Sequence, residues 1–420
     1  MITTRPRGTL DILPKDANRW RHIEDTFRQI CKEYNFQEIR TPIFEHTELF
    51  ERGVGDTTDI VEKEMYSFRD RGDRSITLRP EGTAPVVRAY LENNLNAGPQ
   101  PVKLYYGGAM FRYDRPQAGR FRQFHQVGAE VIGSNEPAVD AELIAMVMDF
   151  YNRLGLKGLE LHINSVGCPH CRLELRQKLQ DFFHPVKDKL CGNCRGRLEK
   201  NPLRVLDCKI ESCKTLAKDA PTTLDCLCPE CDSHFNRMKS LLDGLGIQYI
   251  MNGRLVRGLD YYTQTAFEIM APGIGAQSSI GGGGRYNGLT EAVGGSATPG
   301  VGYALGVERI ILTMENQEAP FPTHVSPDVF VTVTDRSAED KAFLILSQLR
   351  AMGLSADKDY LGRSLKSQMK FAGKLGSRFV IIIGGDELQR GAAVVRDMSR
   401  GSQVELSMDH LAVEIKKMMG

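Results

Sequence analysis

The sequence predicts an α+β domain with a largely antiparallel sheet, followed by a smaller, separate α/β domain. Strand-like runs in the first part of the chain are not regularly separated by helices, which favours an antiparallel sheet with attached helices. The segment 318–327 contains three prolines and is typical of a linker. After it, strand-like and helix-like runs alternate, which is typical of a βαβ arrangement.

Composition limits the class of protein. A length of 420 residues suggests two to four domains, and 41% hydrophobic with 25% charged residues excludes a mostly disordered or collagenous chain. The net charge is +1, so any nucleic-acid contact must come from a local patch. No apolar run approaches the roughly 18 residues of a membrane helix, and no apolar signal segment begins the chain, so we expect a cytoplasmic protein without a membrane partner.

Apolar periodicity places the elements of the first domain. Residues 16–34 carry Trp20, Ile23 and Phe27 at helical spacing. Later elements, in order, are extended runs at 36–44 and 75–79, a helix over 82–95, extended runs at 102–113 and 121–133, a helix over 136–154 and a strand over 159–164.

Nine of the ten cysteines lie between 168 and 231, and we interpret about 168–245 as an inserted subdomain. Strand-like sequence resumes with IQYIMN, YYTQTAFEIM and AQSSIGGGGRY, and a helix is predicted over Val301–Met314. The predicted domains are therefore 1–325, with the insertion, and 326–420.

The densest group of polar residues lies in FRYDRPQAGRFRQFHQVGAE. We interpret it as two strands joined by an arginine-rich loop, in which alternation puts Gln126 and Glu130 on one face. Guanidinium groups suit phosphate because they offer paired donors and a permanent charge. A solvated hairpin is the alternative, and the interleaved aromatic residues make it less compatible with the sequence. The arginines are Arg112, Arg115, Arg120 and Arg122.

Four further features each allow two interpretations. Glu81, beyond a strand and near a helix start, suits a substrate ammonium or, equally, the helix dipole. Arg257 precedes Tyr261 and Tyr262, which suits a polar pocket, although the tyrosines could be core residues. The SSIGGGGRYNG run is a weak phosphate motif, and its glycines could instead let another group lie against the sheet. Arg309 begins an amphipathic helix, where a surface role is the more common one.

Cysteine spacing indicates a zinc site. Cys168-x2-Cys171 and Cys191-x2-Cys194, nineteen residues apart, have the spacing of a tetrathiolate site. A second set could be formed by Cys208, Cys213, Cys228 and Cys231, with Cys226 left over. Reduced, partly buried thiols that fold without metal are the alternative.

Basic residues recur at helical spacing in the second domain. No acid lies between 363 and 378, and the stripe is the kind of local patch that nucleic-acid binding needs, although such a run is usually a solvated face. Its members are Arg363, Lys366, Lys370 and Lys374.

These motifs together resemble the class II aminoacyl-tRNA synthetases. FRYDRPQAGRFRQFHQ resembles motif 2, GYALGVERI motif 3, and FQEIRTPIFEHTELF motif 1, in which Pro42 matches a proline of the family's dimer interface. LRPEGTA, RGLDYYTQTAFE and GGGGRY are similar to the histidyl-tRNA synthetase family in particular. The resemblance covers nearly the whole chain and implies a class II catalytic domain, a C-terminal anticodon-binding domain and a homodimer. The cysteine-rich insert departs from the cysteine-poor bacterial pattern.

The resemblance also implies the activity and its residues. The substrates would be L-histidine, ATP with Mg²⁺ and tRNA(His), joined through a histidyl-adenylate. Arg257 would be the main catalytic residue, Arg112 would hold the α-phosphate and the substrate carboxylate, and Arg309 would bind the γ-phosphate end of ATP. Arg120 would contact ATP and Arg122 tRNA, as would the basic stripe. The residues implied for histidine are Glu81 and Thr83 for the ammonium, Gln126 as a bridge, and Glu130, Tyr261 and Tyr262 for the imidazole.

Two other functions remain as alternatives. One is a non-catalytic, synthetase-like regulatory subunit that senses histidine in histidine biosynthesis. Such a paralogue lacks the C-terminal domain and has degraded ATP motifs, whereas Arg112, Arg257 and Arg309 are present here. The other is a zinc-dependent nucleic-acid-binding module, which the cysteine insert alone would suggest.

Overall fold

The structure is a computed structural model that describes residues 3–55, 58–117, 119–206, 208, 210–255, 258–273, 278–322 and 326–419. The chain divides into two compact units, the first of which ends at Pro322. Strands of the first unit are β1 Gln37–Glu38, β2 Phe44–His46, β3 Tyr66–Arg69, β4 Ser75–Leu78, β5 Val102–Phe111, β6 Gln123–Ile132, β7 Glu160–Ser165, β8 Ile250–Met251, β9 Thr263–Met270, β10 Ser279–Arg285 and β11 Gly300–Gly306. Its helices are α1 Pro14–Glu33, α2 Thr47–Val54, α3 Thr83–Glu92, α4 Pro137–Arg153, α5 Pro169–Phe183, α6 Gly192–Lys200, α7 Leu203–Leu206, α8 Glu211–Leu216, α9 Pro229–Gly244, α10 Leu289–Ala292 and α11 Val307–Asn316.

An eight-stranded sheet with the order β1-β5-β6-β11-β10-β9-β7-β8 forms the centre of the first unit. In this order, all neighbouring strands between β5 and β7 pair antiparallel. The two short edge strands are parallel to their neighbours, β1 to β5 and β8 to β7. The predicted antiparallel catalytic sheet is therefore confirmed. A separate three-stranded sheet has the order β2-β4-β3.

Helix α1 shows why one face of the large sheet is covered. Its buried residues Trp20, Ile23, Phe27 and Ile30 recur every three or four positions, so they form one apolar stripe. The stripe packs with α4, α9 and α11 over the sheet in the largest apolar core. The helix predicted from residue 16 begins two residues earlier, at Pro14, where proline suits a first helical turn.

The opposite face of the sheet carries a smaller core with α3. Val86, Val87 and Tyr90 of this helix pack with Leu104 and Tyr106 of β5. The tyrosines that follow the insert also belong to this core. The residues that the sequence predicts for binding of histidine lie on this face, next to α3.

One predicted element is wrong in its first half. The helix predicted over Val301–Met314 begins at Val307, because Gly300–Gly306 forms strand β11 in the middle of the sheet. Val301, Tyr303 and Leu305 are buried in the large core, and glycine or alanine stands between them. That spacing has a period of two, which is the pattern of a strand.

The cysteine-rich region is helical. Helices α5 to α9 occupy it, and residues such as Leu175, Leu179, Phe183 and Leu198 form a core of its own. Helix α9 differs, because Phe235 and Met238 belong to the large core under the catalytic sheet. Across the described ranges, no helix combines the length and apolar character needed to cross a lipid bilayer.

The second unit is an α/β domain with a five-stranded sheet of order β13-β12-β14-β15-β16. The first three of these strands are parallel, and the last two pair antiparallel. Its elements are β12 Val329–Val333, α12 Glu339–Ala351, β13 Ala356–Lys358, α13 Leu365–Leu375, β14 Phe379–Ile383, α14 Gly385–Arg390, β15 Ala392–Asp397, β16 Gln403–Ser407 and α15 Leu411–Met419. Helices α12 and α15 pack on one face of the sheet and α13 on the other.

Candidate active site

Two buried carboxylates stand side by side at the start of α3. Glu81 precedes the helix, and its two oxygens accept hydrogen bonds from the backbone N–H groups of Thr83 and Ala84, each at 2.8 Å. Glu81 therefore caps the helix, as one interpretation of its position predicted. Each carboxylate oxygen has a second lone pair, so these bonds leave acceptor capacity for a ligand.

Glu130 on β6 is fully buried and accepts three hydrogen bonds. The Thr83 hydroxyl donates to its Oε1 at 2.7 Å, Tyr106 to the same oxygen at 3.3 Å, and Tyr286 to Oε2 at 2.7 Å. Burial raises the pKa of Glu130 to about 8, although these donors oppose the shift. Burial also raises the pKa of Glu81. Because Thr83 touches both carboxylates, the two acids form one hydrogen-bonded unit.

Glycines make room for this unit. A Cβ on Gly302 would lie 1.6 Å from Glu130 Oε2, and one on Gly128 would lie 2.5 Å from the Tyr106 hydroxyl. A Cβ on Gly82 would come within 2.2 Å of the Tyr106 ring. Glycine is required at these positions because a larger side chain would overlap Glu130 or Tyr106.

Tyrosines form a wall of the same pocket. The hydroxyl of Tyr261 donates to Glu81 Oε2 at 3.3 Å, and its ring lies 4.8 Å from that of Tyr262 and 5.9 Å from that of Tyr286. Tyr261 and Tyr262 are both buried. The structure therefore places Tyr261 at Glu81, with Tyr262 beside it.

Gln126 lies on β6 four residues before Glu130, which puts the two side chains on one face of the strand. Its side-chain oxygen is buried and has no hydrogen-bond partner among the described residues. An unsatisfied buried amide oxygen costs free energy, so this atom is available to a ligand donor.

Arg112 joins the carboxylates to the arginine-rich loop. Its Nε donates to the Pro80 carbonyl at 2.8 Å, next to Glu81, and its guanidinium lies 5.3 Å from the centroid of the Phe124 ring. Burial lowers the pKa of Arg112, and the carboxylates of Glu64 and Glu81 oppose that shift. The predicted pair of strands is confirmed, since β5 ends at Phe111 and β6 begins at Gln123.

Arg120 and Arg309 meet at the other end of the loop. Arg309, on the first turn of α11, donates to the Ser279 carbonyl, and a Cβ on Gly119 would lie 3.3 Å from its Cγ. Burial lowers the pKa of Arg309, and so does the charge of Arg120. Arg120 itself forms a 2.7 Å ion pair with Asp114. Two cations thus share one region, which suits a polyanion such as a phosphate chain.

The remaining loop arginines differ in their position. Arg122 lies over the ring of Tyr113, at 3.8 Å from its centroid, and its Nε donates to the Asp114 carbonyl at 3.4 Å. Arg115 is exposed. Arg257, the predicted main catalytic residue, lies outside the described residues.

Arg285, in the glycine-rich run, makes buried contacts that hold the fold together. Its fully buried guanidinium forms an ion pair with Asp140 at 2.6 Å and donates to the carbonyls of Ser134 and Glu136, each at 2.9 Å. Its Nε lies 3.3 Å from His234 Nε2. The run therefore anchors α4 and α9 beneath the sheet, whereas Tyr286, the next residue, turns to Glu130.

The cysteine grouping predicted from spacing is wrong. Cys168 and Cys171 meet Cys228 and Cys231, and Cys191 and Cys194 meet Cys208 and Cys213, with the sulfur atoms of each group within 4.8 Å of one another. Both groups are able to hold a metal ion. The reason for the error is that the start of α9 lies at the start of α5, so Cys228, 60 positions after Cys168, is nearer to it in space than Cys191 is. Cys226 stays outside both groups, as predicted.

The basic stripe of the second unit divides into two kinds of residue. Lys366, Lys370 and Lys374 are exposed on α13. Arg363 precedes that helix, pairs with Asp359 at 2.9 Å, and lies 4.1 Å from the centroid of the Phe371 ring. The predicted helical face therefore holds the three lysines, and Arg363 is tied to its own unit.

Sequence reasoning missed Tyr106 and Tyr286 as members of the carboxylate unit. Tyr106 lies in the extended run predicted at 102–113, and Tyr286 ends the GGGGRY motif. Their contact with Glu130 depends on strand register, which puts Tyr106 opposite Gly128 on β6. Alternation along β5 predicts the face of the strand on which Tyr106 lies. Only the register with the partner strand shows which residues Tyr106 contacts.

Comparisons with known proteins agree with this geometry. The family profile described as histidyl-tRNA synthetase matches residues 8–177 and 210–310, and the profile described as anticodon-binding domain matches residues 328–418. The curated histidine–tRNA ligase of Desulforamulus reducens is 65% identical over 416 residues, 99% of either chain. That of Pelotomaculum thermopropionicum is 64% identical over 409 residues, which are 97% of this chain and 96% of the relative.

A solved structure also matches along the whole chain. The crystal structure of apo Staphylococcus aureus histidyl-tRNA synthetase has a TM-score of 0.86 and 44% identity, and it covers 99% of this chain and 100% of its own. Arginines beside a pair of buried carboxylates on an antiparallel sheet, together with near-complete coverage by these relatives, lead to one conclusion. The chain belongs to the histidyl-tRNA synthetase family of class II aminoacyl-tRNA synthetases.

Proposed function

We propose that the protein ligates L-histidine to the 3′ end of tRNA(His) in two steps at this site. In the first, a histidine carboxylate oxygen attacks the α-phosphorus of ATP, and pyrophosphate leaves. In the second, a hydroxyl of the terminal ribose attacks the acyl carbon, and AMP leaves with the bonding electrons. The observation that carries the proposal is the buried Glu81–Thr83–Glu130 unit beside the arginine-rich loop.

The arginines supply what the first step needs. Attack of one anion on another requires concentrated positive charge that is already in position. Arg112 lies between the carboxylate unit and the loop, which suits a residue that bridges the histidine carboxylate and the α-phosphate. Arg120 and Arg309, which lie together, would bind the rest of the ATP chain. Arg257 remains our proposal for the arginine that stabilises the transition state.

The carboxylates and tyrosines would select histidine. Glu81, with Thr83, would take the α-ammonium, because a buried carboxylate gains most from a cation that replaces lost water. Glu130 would accept a hydrogen bond from the imidazole, with Tyr261 and Tyr262 as the aromatic wall. Gln126 would bridge amino acid and phosphate through its unsatisfied side-chain oxygen. A site built to bond a polar ring rejects apolar isosteres strongly, since its buried groups would then be unpaired.

The family uses ATP with Mg²⁺. When bound with ATP, the ion would neutralise part of the phosphate charge and so assist the departure of pyrophosphate. Substrate phosphates supply most of the ligands of such an ion, so few protein groups are required.

The second unit would bind tRNA. Its match to anticodon-binding domains and the exposed Lys366, Lys370 and Lys374 support this role. Arg122 remains a candidate for the acceptor end, because it is on the loop beside the proposed ATP site. Arg363 contributes less, because its charge is neutralised by Asp359.

The working form would be a cytoplasmic homodimer. Ile43 and Phe44, next to Pro42 of motif 1, are 49% and 56% exposed, and Phe68 in the same small sheet is 50% exposed. Large apolar side chains clustered at one surface indicate a partner surface. The cytoplasm follows from the substrates, because protein synthesis supplies and consumes them there.

The test is ATP–pyrophosphate exchange with each of the twenty amino acids, followed by charging of tRNA(His). We expect exchange with histidine alone and transfer of histidine to tRNA. Histidine binding without exchange would favour the regulatory-subunit alternative. The match of residues 328–418 to an anticodon-binding domain speaks against that alternative, because such a subunit has no tRNA to read.

A further inference from the structure

The two groups of cysteines have the dimensions of a tetrathiolate metal site. Around zinc, with Zn–S bonds of about 2.3 Å, the sulfurs of a tetrahedron lie about 3.8 Å apart. Cys168 Sγ lies 3.6 Å from Cys171 Sγ and 3.8 Å from Cys228 Sγ. In the other group, Cys191 Sγ lies 4.0 Å from Cys208 Sγ. A disulfide would require about 2.05 Å, and all ten cysteines are free.

Backbone donors support thiolates in both groups. The N–H of Cys228 donates to Cys171 Sγ at 3.2 Å, and that of Cys191 donates to Cys213 Sγ at 3.3 Å. Cys168, Cys228 and Cys191 each stand immediately before a helix. Such donors are the usual outer shell of a metal–thiolate site, and they favour the deprotonated sulfur that a metal requires.

The groups differ in what surrounds them. The first, which we term the sheet cluster, consists of Cys168, Cys171, Cys228 and Cys231 and lies at the ends of β7, α5 and α9. The second, which we term the insert cluster, consists of Cys191, Cys194, Cys208 and Cys213. Cys194, Cys208 and Cys213 of the insert cluster belong to the separate core of the insert.

The sheet cluster touches the segment that leads from Tyr262 into β9. Arg172, next to Cys171, donates to the Tyr262 carbonyl and, at 3.4 Å, to that of Val166. Gln264 donates to Cys231 Sγ at 4.0 Å, and its N–H bonds to the Gly167 carbonyl at 2.9 Å. Gln264 has a φ of +48°, a left-handed conformation that is unfavourable for a residue other than glycine. The contacts on both sides of Gln264 hold it in that conformation.

The insert cluster has a weaker connection to the site. Arg204, four residues before Cys208, forms a 2.8 Å ion pair with Asp260, and the two side chains are 20% and 34% exposed. A partly exposed ion pair contributes little to stability, because water screens the attraction between its charges. Loss of the insert cluster should therefore disturb the insert far more than the pocket.

We infer that each cluster binds one Zn²⁺ through four thiolates, and that the zinc of the sheet cluster positions Tyr262 in the histidine pocket. Zinc fits because four sulfurs in a closed tetrahedral set, in a reducing compartment, match its structural sites. The cysteines are positioning residues, since they act through Arg172 and Gln264. The pocket role rests on the proposed function, whereas zinc binding does not.

The experiment measures metal and kinetics separately. Full-length protein purified without chelator should contain about two zinc ions per chain by elemental analysis. Cys171→Ser and Cys194→Ser should each remove one zinc, and Cys226→Ser, a buried cysteine outside both clusters, should remove none. Loss of the sheet-cluster zinc should raise the KM for histidine about tenfold in pyrophosphate exchange. Loss of the insert-cluster zinc should leave that KM unchanged and lower the melting temperature.

Two controls keep the inference falsifiable if a serine variant does not fold. Cys168→His supplies another zinc ligand and should keep two zinc ions and a near-normal KM. In the unmodified protein, Co²⁺ in place of zinc should give the absorption of a tetrahedral thiolate site. Metal-free protein with full stability and no Co²⁺ spectrum would overturn the zinc sites. If the unmodified protein holds two zinc ions and the two serine variants, each with one zinc, have the same KM for histidine, the positioning role is overturned. If the unmodified protein holds two zinc ions but shows no exchange, the proposed function is contradicted instead.

Discussion

The carboxylate pocket of the first unit and the lysine face of the second use charge in opposite ways. Glu81 and Glu130 are 3% and 0% exposed, and each accepts hydrogen bonds from fixed donors. Lys366, Lys370 and Lys374 are exposed on one helix. A charge removed from water interacts strongly and with few partners, whereas an exposed charge interacts weakly and is screened by salt.

The difference explains how each region can be specific. In the pocket, a single misplaced donor leaves a buried group unpaired, so selection of a small substrate is sharp. On the lysine face, each contact with a phosphate contributes a small and nearly independent amount, so the region suits a long polyanion. Substitutions should therefore have large, specific effects in the pocket and small, additive effects on the lysine face.

The largest effect is expected from the arginines. Arg112→Ala and Arg257→Ala should each lower the rate of adenylation by about 10²–10³-fold or more, because each is proposed to donate to the charge that develops in the transition state. The KM for histidine should change little if the contact strengthens mainly in the transition state. The measurement is ATP–pyrophosphate exchange, with the exposed Arg71→Ala as the control. An unchanged exchange rate in Arg257→Ala would remove that residue from the mechanism.

Deletion of residues 326–420 should separate the two regions. The two units have separate apolar cores, so the first should keep its fold and most of its histidine-dependent exchange. Charging of tRNA(His) should collapse, because the lysine face is lost. Oligomeric state must be measured by light scattering at the same time, since loss of a dimer would lower both activities. Normal charging by the truncated dimer would show that the second unit is not needed to bind tRNA.

Glu130→Gln should weaken histidine binding by about 10- to 100-fold, the effect of losing a hydrogen bond to a charged group. The pKa of Glu130 is raised to about 8, so its carboxylate becomes ionised as the pH rises through that value. The advantage of the unmodified protein over Glu130→Gln should therefore increase from pH 7 to pH 9. Titration calorimetry across this range measures it, and Glu48→Gln, at an exposed helical position, is the control. A ratio of affinities that is independent of pH would contradict an ionised Glu130 as the imidazole acceptor.

The smallest effects are expected on the lysine face. Each of Lys366→Ala, Lys370→Ala and Lys374→Ala should reduce the magnitude of the negative slope of log affinity for tRNA against log salt by about 0.7–0.9. Lys417→Ala, on another exposed helical face, should leave it unchanged. Arg363→Ala should mainly lower the stability of the second unit, because it breaks the pair with Asp359. An equal slope in the triple lysine variant would make the stripe a solvated face.

The sequence was sufficient where local patterns decide the structure. Helical spacing located α1 through Trp20, Ile23 and Phe27, and the turn between two alternating runs located the β5–β6 pair. The motifs around Glu81 and Arg112 led to a family that the comparisons confirm. These features need no knowledge of which distant segments meet.

The sequence was insufficient where distant segments choose partners. The small residues of strand β11 hide its alternation, so the sequence predicts a helix there, and only the neighbouring residues show that Gly302 faces Glu130 and Gly300 faces Tyr286. The cysteines were grouped by spacing, yet α9 brings Cys228 and Cys231 to Cys168 across the whole insert. Partners of this kind depend on tertiary packing, which spacing does not encode.

The buried pair of Arg285 and Asp140 has a consequence for the order of folding. It joins β10 to α4, and His234 beside it belongs to α9 at the end of the insert. These positions are far apart along the chain, so the pair forms only after their connecting segments have closed. Until then, the guanidinium is excluded from the core by the cost of burying an unpaired charge. Because the contacts of Arg285 join β10, α4 and α9, we expect the insert and the rest of the first unit to fold as one cooperative body.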